Sequence, residues 1–378
     1  MLRGFNFTLS PFSASMAIKS LKISLILLNQ NEGMKSKMDI SSALEKIISR
    51  ENLSIEQTRD LFLRIMSGHA TEAQIAAILI ALRVKGECPE ELAGAALVMR
   101  ELSTKVEVDL PNLIDTCGTG GSGSKLFNIS TASTFVCAGA GAHIAKHGNR
   151  KMTSSCGSAD VLEAAGVNLN LNAEQIASCI KTAGVGFLFA PQHHAAMKYA
   201  GPVRQQLGIR TMMNVLGPMT NPAGADRQVI GVFSQAWQKK IAEVMKLLDA
   251  AHVLVIHSGG LDEMRLDQHT HVVELKEGVI SEYQLNPNEL VENIKTNEIE
   301  KLEATDPESS LKLLEQSITE PNSLAAKIVA LNAGLGIYVS GLEEDIKSGV
   351  QRALESISSG KAKDSFDLLI EHSQGYAD

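Results

Sequence analysis

Nowhere in this 378-residue chain do two cysteines stand as a C-x-x-C pair, and the five present (Cys88, Cys117, Cys137, Cys156 and Cys179) are odd in number. That pattern speaks against a disulfide framework or a structural zinc site and fits a reducing, cytoplasmic setting. No apolar run reaches the roughly 18 residues that suggest a membrane-spanning helix, so no membrane partner is expected. Excess positive charge is also missing. The formal net charge of −8 counts against a general nucleic-acid binder while leaving room for a local basic site. With 44% hydrophobic and 21% charged residues, the chain can bury one large core or two unequal ones.

Acids are scarce at the start. Residues 1–37 hold one, Glu32, against five Lys/Arg, together with a short apolar run, LKISLILLN. This N-terminal extension reads most simply as an over-long start, with the working chain beginning near Met34 or Met38. An organelle-targeting segment fits the Ser-rich, acid-poor composition, and a secretory signal would lack a clean small-residue cleavage site.

From Met38 to about Lys105 the apolar spacing is helical. SIEQTRDLFLRIMSG opens with Ser54 and Gln57 spaced as a capping box, carries Leu61, Phe62, Ile65 and Met66, and stops at Gly68. TEAQIAAILIALRVKG repeats the grammar with Thr71, Gln74 and Gly86, and CPEELAGAALVMRE starts with Pro89 suited to a first helical turn. With DISSALEKIIS these predict about four short helices, a small helical domain over residues 38–108.

Over residues 109–378 the texture changes. Apolar, β-branched runs recur at LIDT (113–116), AHIA (142–145), GFLFA (186–190), VIGVF (229–233) and HVLVIH (252–257), with helix-like stretches between most of them. The alternation predicts an α/β domain with a mainly parallel sheet flanked by helices, in which ligands sit outside the carboxyl ends of the strands. HVVELKEGVISEYQL reads as a late hairpin around Glu277 and Gly278. The Asn/Glu/Lys-rich stretch 286–322 reads as a solvated excursion, and SLAAKIVALNAGLGIYVSG and GVQRALESI return to helix.

The stretch DTCGTGGSGSKLFNIST (115–131) runs on from the first strand into a helix expected from about Ser130. Gly118, Gly120 and Gly123 satisfy G-x-G-x-x-G, but the acid that a dinucleotide site wants about twenty residues on is missing. No Asp or Glu occurs between Thr116 and Ala159. A P-loop would need Gly-Lys-Ser/Thr, and here Gly123 precedes Ser124 and Lys125. Both common nucleotide readings fail in detail.

The acid-free window carries Lys125, Lys146, Arg150 and Lys151 with His143 and His147. NIST (128–131), at a helix start, and KHGNRKMTSS (146–155), at a strand end, are both anion-friendly, and together they suggest a ligand with several phosphates. In SGGLDEM, Asp262 and Glu263 stand side by side in a glycine-led loop at the same sheet edge. Alone, such a pair is ordinary solvated surface. Facing a polyphosphate, it is what magnesium takes alongside phosphate oxygens and water.

In order along the chain, DTCGTGGSG, FNISTAS, AKHGNRKMTSSCGSADVLEAAGV, FAPQHHAAMKYAGPVRQQLGIRTMMNVLGPMTNPAG and HSGGLDEM resemble the anthranilate phosphoribosyltransferases of tryptophan biosynthesis, over about residues 38–370. The resemblance implies a helical domain on a large α/β domain, as in class III phosphoribosyltransferases and pyrimidine nucleoside phosphorylases, with part of 191–225 expected to pack with the helices. It implies a homodimer joined through the helical domains and transfer of the phosphoribosyl group of 5-phosphoribosyl 1-diphosphate to the amine of anthranilate. It also implies Mg2+, two per monomer. Association with anthranilate synthase stays open, and a pyrimidine nucleoside phosphorylase or a nucleic-acid-binding relative without transferase activity are the alternatives.

Position by position, the resemblance assigns Gly118, Gly121, Ser122, Leu126 and Asn128, Ile129, Ser130, Thr131 to the phosphoribosyl diphosphate. It assigns Lys146, His147, Gly148, Asn149, Arg150, Lys151, Met152, Thr153 and Ser154, with Ser158, to the same ligand. Gly118, Asn149 and Arg204 are implied for anthranilate, and Ser130, Asp262 and Glu263 for the metal. No acid–base catalyst is assigned, and His147 is expected to be structural. Two positions depart from the family's commonest pattern: Ser122 stands where many members carry an acid, and Leu126 where they carry a small hydroxyl residue. These put the details of metal occupancy in doubt, not the activity.

Overall fold

Local sequence rules account for the first elements in the computed structural model, which describes residues 38–120, 125–150, 156–292 and 296–377. The N-terminal extension lies outside them. Helices α1 (Ile40–Ile48), α2 (Ile55–Met66), α3 (Glu72–Lys85) and α4 (Pro89–Glu101) follow the predicted pattern, with Asp39 capping the first. Ser54 accepts from the Gln57 N–H and Thr71 from the Gln74 N–H, each closing a full capping box. α3 ends at Gly86, in a positive-φ conformation that only glycine adopts cheaply.

A seven-stranded sheet follows, in the order β3-β2-β1-β4-β5-β6-β7. Its strands are β1 (Ile114–Gly118), β2 (Ile144–Gly148), β3 (Val185–Phe189), β4 (Arg227–Gly231), β5 (His252–His257), β6 (Thr270–Lys276) and β7 (Val279–Leu285). The first five run parallel, and β5-β6-β7 are antiparallel. The hairpin turns at Glu277 and Gly278, as the sequence indicates, both with positive φ.

Between the strands lie α5 (Ile129–Gly139), α6 (Ser158–Ala164), α7 (Ala173–Ala183), α8 (Ala190–His193), α9 (Met197–Leu207) and α10 (Gln238–Leu247). After the sheet come α11 (Pro307–Thr319), α12 (Leu324–Ser340), α13 (Ile346–Ser358) and α14 (Lys361–Gln374). α12 is apolar nearly all round and buried along nearly its whole length, packed against α5 and α13. A helix so hydrophobic belongs in a core, and each fully buried Ile, Leu or Val there contributes about 1.5–3 kcal/mol. Among the described residues no single helix is long and apolar enough to cross a membrane.

One expectation is corrected. The stretch 286–322 is not simply solvated: α11 lies within it, capped by Asp306, and buries Ser310, Leu314, Ser317 and Ile318 against α5, α6 and α12. Two of those four are serines, so the buried face does not announce itself as apolar.

The segment after β3 leans on the helices. α9 packs against α2 and α3, Arg100 Nε donates to the Met219 carbonyl at 2.7 Å, and the Arg83 guanidinium donates to the Arg210 carbonyl.

Candidate active site

Strand order selects where a ligand can sit. The chain builds β1, β2 and β3 toward one edge and then crosses back to lay β4 on the other side of β1. β1 and β4 therefore flank the topological switch point, outside whose carboxyl ends open α/β sheets bind ligands. Gly118 and Gly231 pair in register at those ends. Both lack a side chain for a visible reason. A Cβ on Gly118 would overlap the Asp262 carboxylate, and one on Gly231 would run into the Asp262 backbone carbonyl. The acidic loop thus lies directly over the switch point, held from behind by Asn332 of α12, whose Oδ1 accepts the Met264 N–H at 2.8 Å and whose Nδ2 donates to the Met264 carbonyl at 3.0 Å.

Lys146 comes up beside it from β2, 2% exposed. Its Nζ donates to the Thr116 carbonyl at 2.7 Å and reaches Ser130 Oγ at 3.5 Å. Burial pulls its pKa down, opposed by the charges of Asp115 and Glu263. Glu263 is pushed well above the usual carboxylate range, first by burial and then by Asp262 beside it. A cation between the two carboxylates would relieve that strain. Among the described residues no group of three or more His, Cys, Asp or Glu could hold a metal unaided. Two adjacent carboxylates are the kind of donor set magnesium takes, its shell completed by substrate oxygens and water.

The helix start at 128–131 is the N-terminus of α5, with Asn128 at its cap. α5 carries no acid in its first turn. Asn128 is braced by α11: Ser310 Oγ donates to its Oδ1 at 2.8 Å, and its Nδ2 donates to the Cys156 carbonyl at 3.3 Å. Thr131 is fully buried and its Oγ1 has no hydrogen-bond partner. Ile129 is buried in the core, and Leu126 packs against that core.

A cavity of about 440 Å³ opens beside β1 and β2, and Gly118, Asn149 and Arg204 all line it, with His147, His194 and Met213. Arg204 rises from α9 and is partly buried, which lowers its pKa. The His147 and His194 rings stand 5.1 Å apart. Burial, then the neighbouring imidazoles, holds His147 down to about 3. It is neutral across the physiological range and too weak a base to matter at pH 7. Gly148 lies on the same wall. Ser158, at the start of α6, donates to the Asn149 carbonyl at 3.3 Å.

Arg150 faces elsewhere: its guanidinium grips Glu163 at 2.6 and 2.8 Å and Asp160 at 3.2 Å. Gly121, Ser122, Lys151, Met152, Thr153 and Ser154 lie outside the described residues.

Residues 110–363 match the glycosyl transferase family a/b domain, and residues 41–103 match that family's helical bundle domain. An anthranilate phosphoribosyltransferase of Saccharophagus degradans is 51% identical over 341 residues, 89% of this chain and 99% of that protein. The chain belongs to the anthranilate phosphoribosyltransferase family. Among solved structures of this family, the Thermus thermophilus enzyme matches with a TM-score of 0.82 at 39% identity, covering 88% of this chain and 99% of that one. The Saccharomyces cerevisiae enzyme, solved in complex with PRPP and Mg, matches with a TM-score of 0.80 at 26% identity, covering 89% and 98%. The fold expected from the resemblance, a small helical domain and a larger α/β domain with a mainly parallel sheet, is that of these family members.

Sequence reasoning passed over Gly231 and Asn332, both of which shape the site from outside its motifs. Gly231 ends the strand paired with β1 and could have been found from that strand's position. Asn332 sits inside an apolar helix, where a lone amide is itself a signal that something needs holding.

Proposed function

We propose that the chain transfers the phosphoribosyl group of 5-phosphoribosyl 1-diphosphate to the amine of anthranilate, releasing pyrophosphate, in tryptophan biosynthesis. Family membership supplies the reaction. The observation that carries it to named residues is the meeting of the acidic loop, Lys146 and the α5 start at the switch point, beside a cavity holding Gly118, Asn149 and Arg204. In this reading residues 38–108 form the helical domain, and residues 109–378 bind the phosphoribosyl diphosphate.

Lys146 and the amides and hydroxyls at 128–131 hold the diphosphate, as fixed donors aimed at a leaving group that gains charge. Asp262 and Glu263, with Ser130, hold magnesium, two ions per monomer. When bound, magnesium supplies neutralisation of the departing pyrophosphate. Arg204 grips the anthranilate carboxylate as a planar fork. Gly118 and Asn149 stand between the two substrates. The arylamine is already neutral at pH 7, so attack on the anomeric carbon from the face opposite the diphosphate needs no strong base. The neutral His147 fits that economy. Holding both reactants in line supplies much of the remainder, on the order of 7–11 kcal/mol. The family's homodimer and a cytoplasmic setting complete the reading.

Anthranilate fluorescence tests it. The signal should fall when protein, magnesium and phosphoribosyl diphosphate are all present and stay level when any one is omitted. Phosphorolysis of thymidine or uridine by the chain, with anthranilate untouched, would reject it in favour of a nucleoside phosphorylase.

A further inference from the structure

Asp115, the second residue of β1, is fully buried in the middle of the sheet. Its Oδ1 accepts the backbone N–H of His147 at 3.2 Å, one residue before the Gly148–Asn149 turn. Its Oδ2 accepts from Asn221 Nδ2 at 2.9 Å and from Gln228 Nε2 at 3.5 Å.

Both amides reach further. Asn221 Nδ2 also donates to the Ala145 carbonyl of β2 at 2.8 Å, while its Oδ1 accepts the Ala223 N–H at 2.9 Å. Gln228 Nε2, from β4, also donates to the Pro218 carbonyl at 2.8 Å. Pro218, Gly217 and Leu216 form the cavity wall on the acceptor side. One solvent-free carboxylate therefore ties β1, the end of β2, β4 and the acceptor wall into one set of bonds.

We propose that Asp115 is a positioning residue: with Asn221 and Gln228 it fixes the gap between the strand ends that hold the phosphoribosyl diphosphate and the wall that holds the aromatic acceptor. The proposal rests on the transfer reaction above. A carboxylate is the side chain suited to the task, because every group facing it is a donor and an amide there would turn N–H against N–H. Burying a charge in a sheet costs stability, so it has to be held by such donors on all sides. Asp115 does not itself face the cavity, so it acts on the reaction through the groups it holds, and through its charge on Lys146.

The test compares Asp115→Asn with Glu274→Gln, a change to an equally satisfied carboxylate on the far side of the sheet, using the full chain. The unchanged chain is assayed first. Absence of anthranilate consumption by it overturns the transfer reading and this proposal with it. Given turnover, Asp115→Asn should lower kcat about 30- to 100-fold, the scale of a misplacement near 1 Å, while the Kd for phosphoribosyl diphosphate alone stays within about threefold. Glu274→Gln should lower thermal stability and leave kcat within about twofold. A kcat for Asp115→Asn within threefold of the parent overturns the proposal. So does a loss that only follows the folded fraction and is matched by Glu274→Gln. Should Asp115→Asn fail to fold, Gln228→Met decides, with an expected kcat fall of about three- to tenfold at unchanged Kd. An unchanged kcat there overturns the proposal as well.

Discussion

Two buried carboxylates in one sheet have opposite settings. Asp115 sits under the switch point and receives two side-chain amides and a backbone N–H. Burial pushes its pKa up, against the pull of Lys146 and these donors. Glu274, on β6, receives the Tyr338 hydroxyl at 2.8 Å and the Tyr283 hydroxyl at 3.0 Å, and its Oε1 lies 2.7 Å from His252 Nε2. Burial raises it too, but the bonds from His252, Tyr338 and Tyr283 outweigh that, and its pKa is lowered. The corner around Glu274 is finished. The edge around Asp115 is left unfinished on its ligand side, with Thr131 Oγ1 and His147 Nε2 buried without partners and two carboxylates crowding each other. A buried polar atom left without a partner beside a ligand site is one that a bound group can complete. Changes at the edge should therefore cost activity, and changes at the corner should cost stability.

The strongest break in that contrast would come from the acidic loop. Replacing both Asp262 and Glu263 by Ala should abolish magnesium-dependent turnover, a loss of about a thousandfold or more, with the circular dichroism spectrum unchanged. Near-normal activity would reject the metal assignment. Next, Arg204→Ala should raise the KM for anthranilate by about 30- to 100-fold and that for phosphoribosyl diphosphate by no more than about threefold, because a buried charge pair loses one partner. Equal effects on both would remove Arg204 from the acceptor site.

At the corner, Glu274→Gln should cost about 1–3 kcal/mol of unfolding free energy at pH 7. Its pH dependence has a fixed sign. A carboxyl whose pKa is lowered in the fold adds stability above the ordinary glutamate value, near 4.3, and loses it as the pH falls through the lowered value. The parent's stability should therefore drop more steeply than the variant's below about pH 4.5, which denaturant titration across that range would show. Asp115 runs the other way: raised in the fold, its ionised form weakens the structure at neutral pH and that penalty fades in acid. Smallest of all, Thr71→Ala should remove one capping bond for about 1 kcal/mol and leave kcat alone.

Much of the architecture was readable because the signals were local. Ser54, Thr71 and Pro89 mark helix starts by rules that need no partner, and HVLVIH (252–257) coincides with β5. The glycine-rich loop, the Lys146 turn and the acidic pair were legible as chemistry because each concentrates one type of group. Their gathering at one sheet edge was expected from the alternation of strands and helices, but the contacts were not, since nothing in the spacing says that Gly118 and Gly231 face each other or that Asp262 covers both. α11 was missed because its inward face includes Ser310 and Ser317, which bury through hydrogen bonds to Asn128 and the Leu314 carbonyl. Asp115 lay in plain view in LIDT, but one acid in an apolar strand does not reveal which donors wait for it.

The reversal of direction after β5 has a consequence for how this protein can change. A parallel neighbour would oblige the chain to travel the full length of the sheet through a helix before pairing again. Here β6 runs back beside β5, so residues 258–269 leave and re-enter the sheet at the same rim. That stretch is exempt from spanning duty. It can lengthen or shorten on either side of the acidic pair with every strand still in register, while Asp262 above Gly118 and Gly231 and Met264 against Asn332 stay where they are.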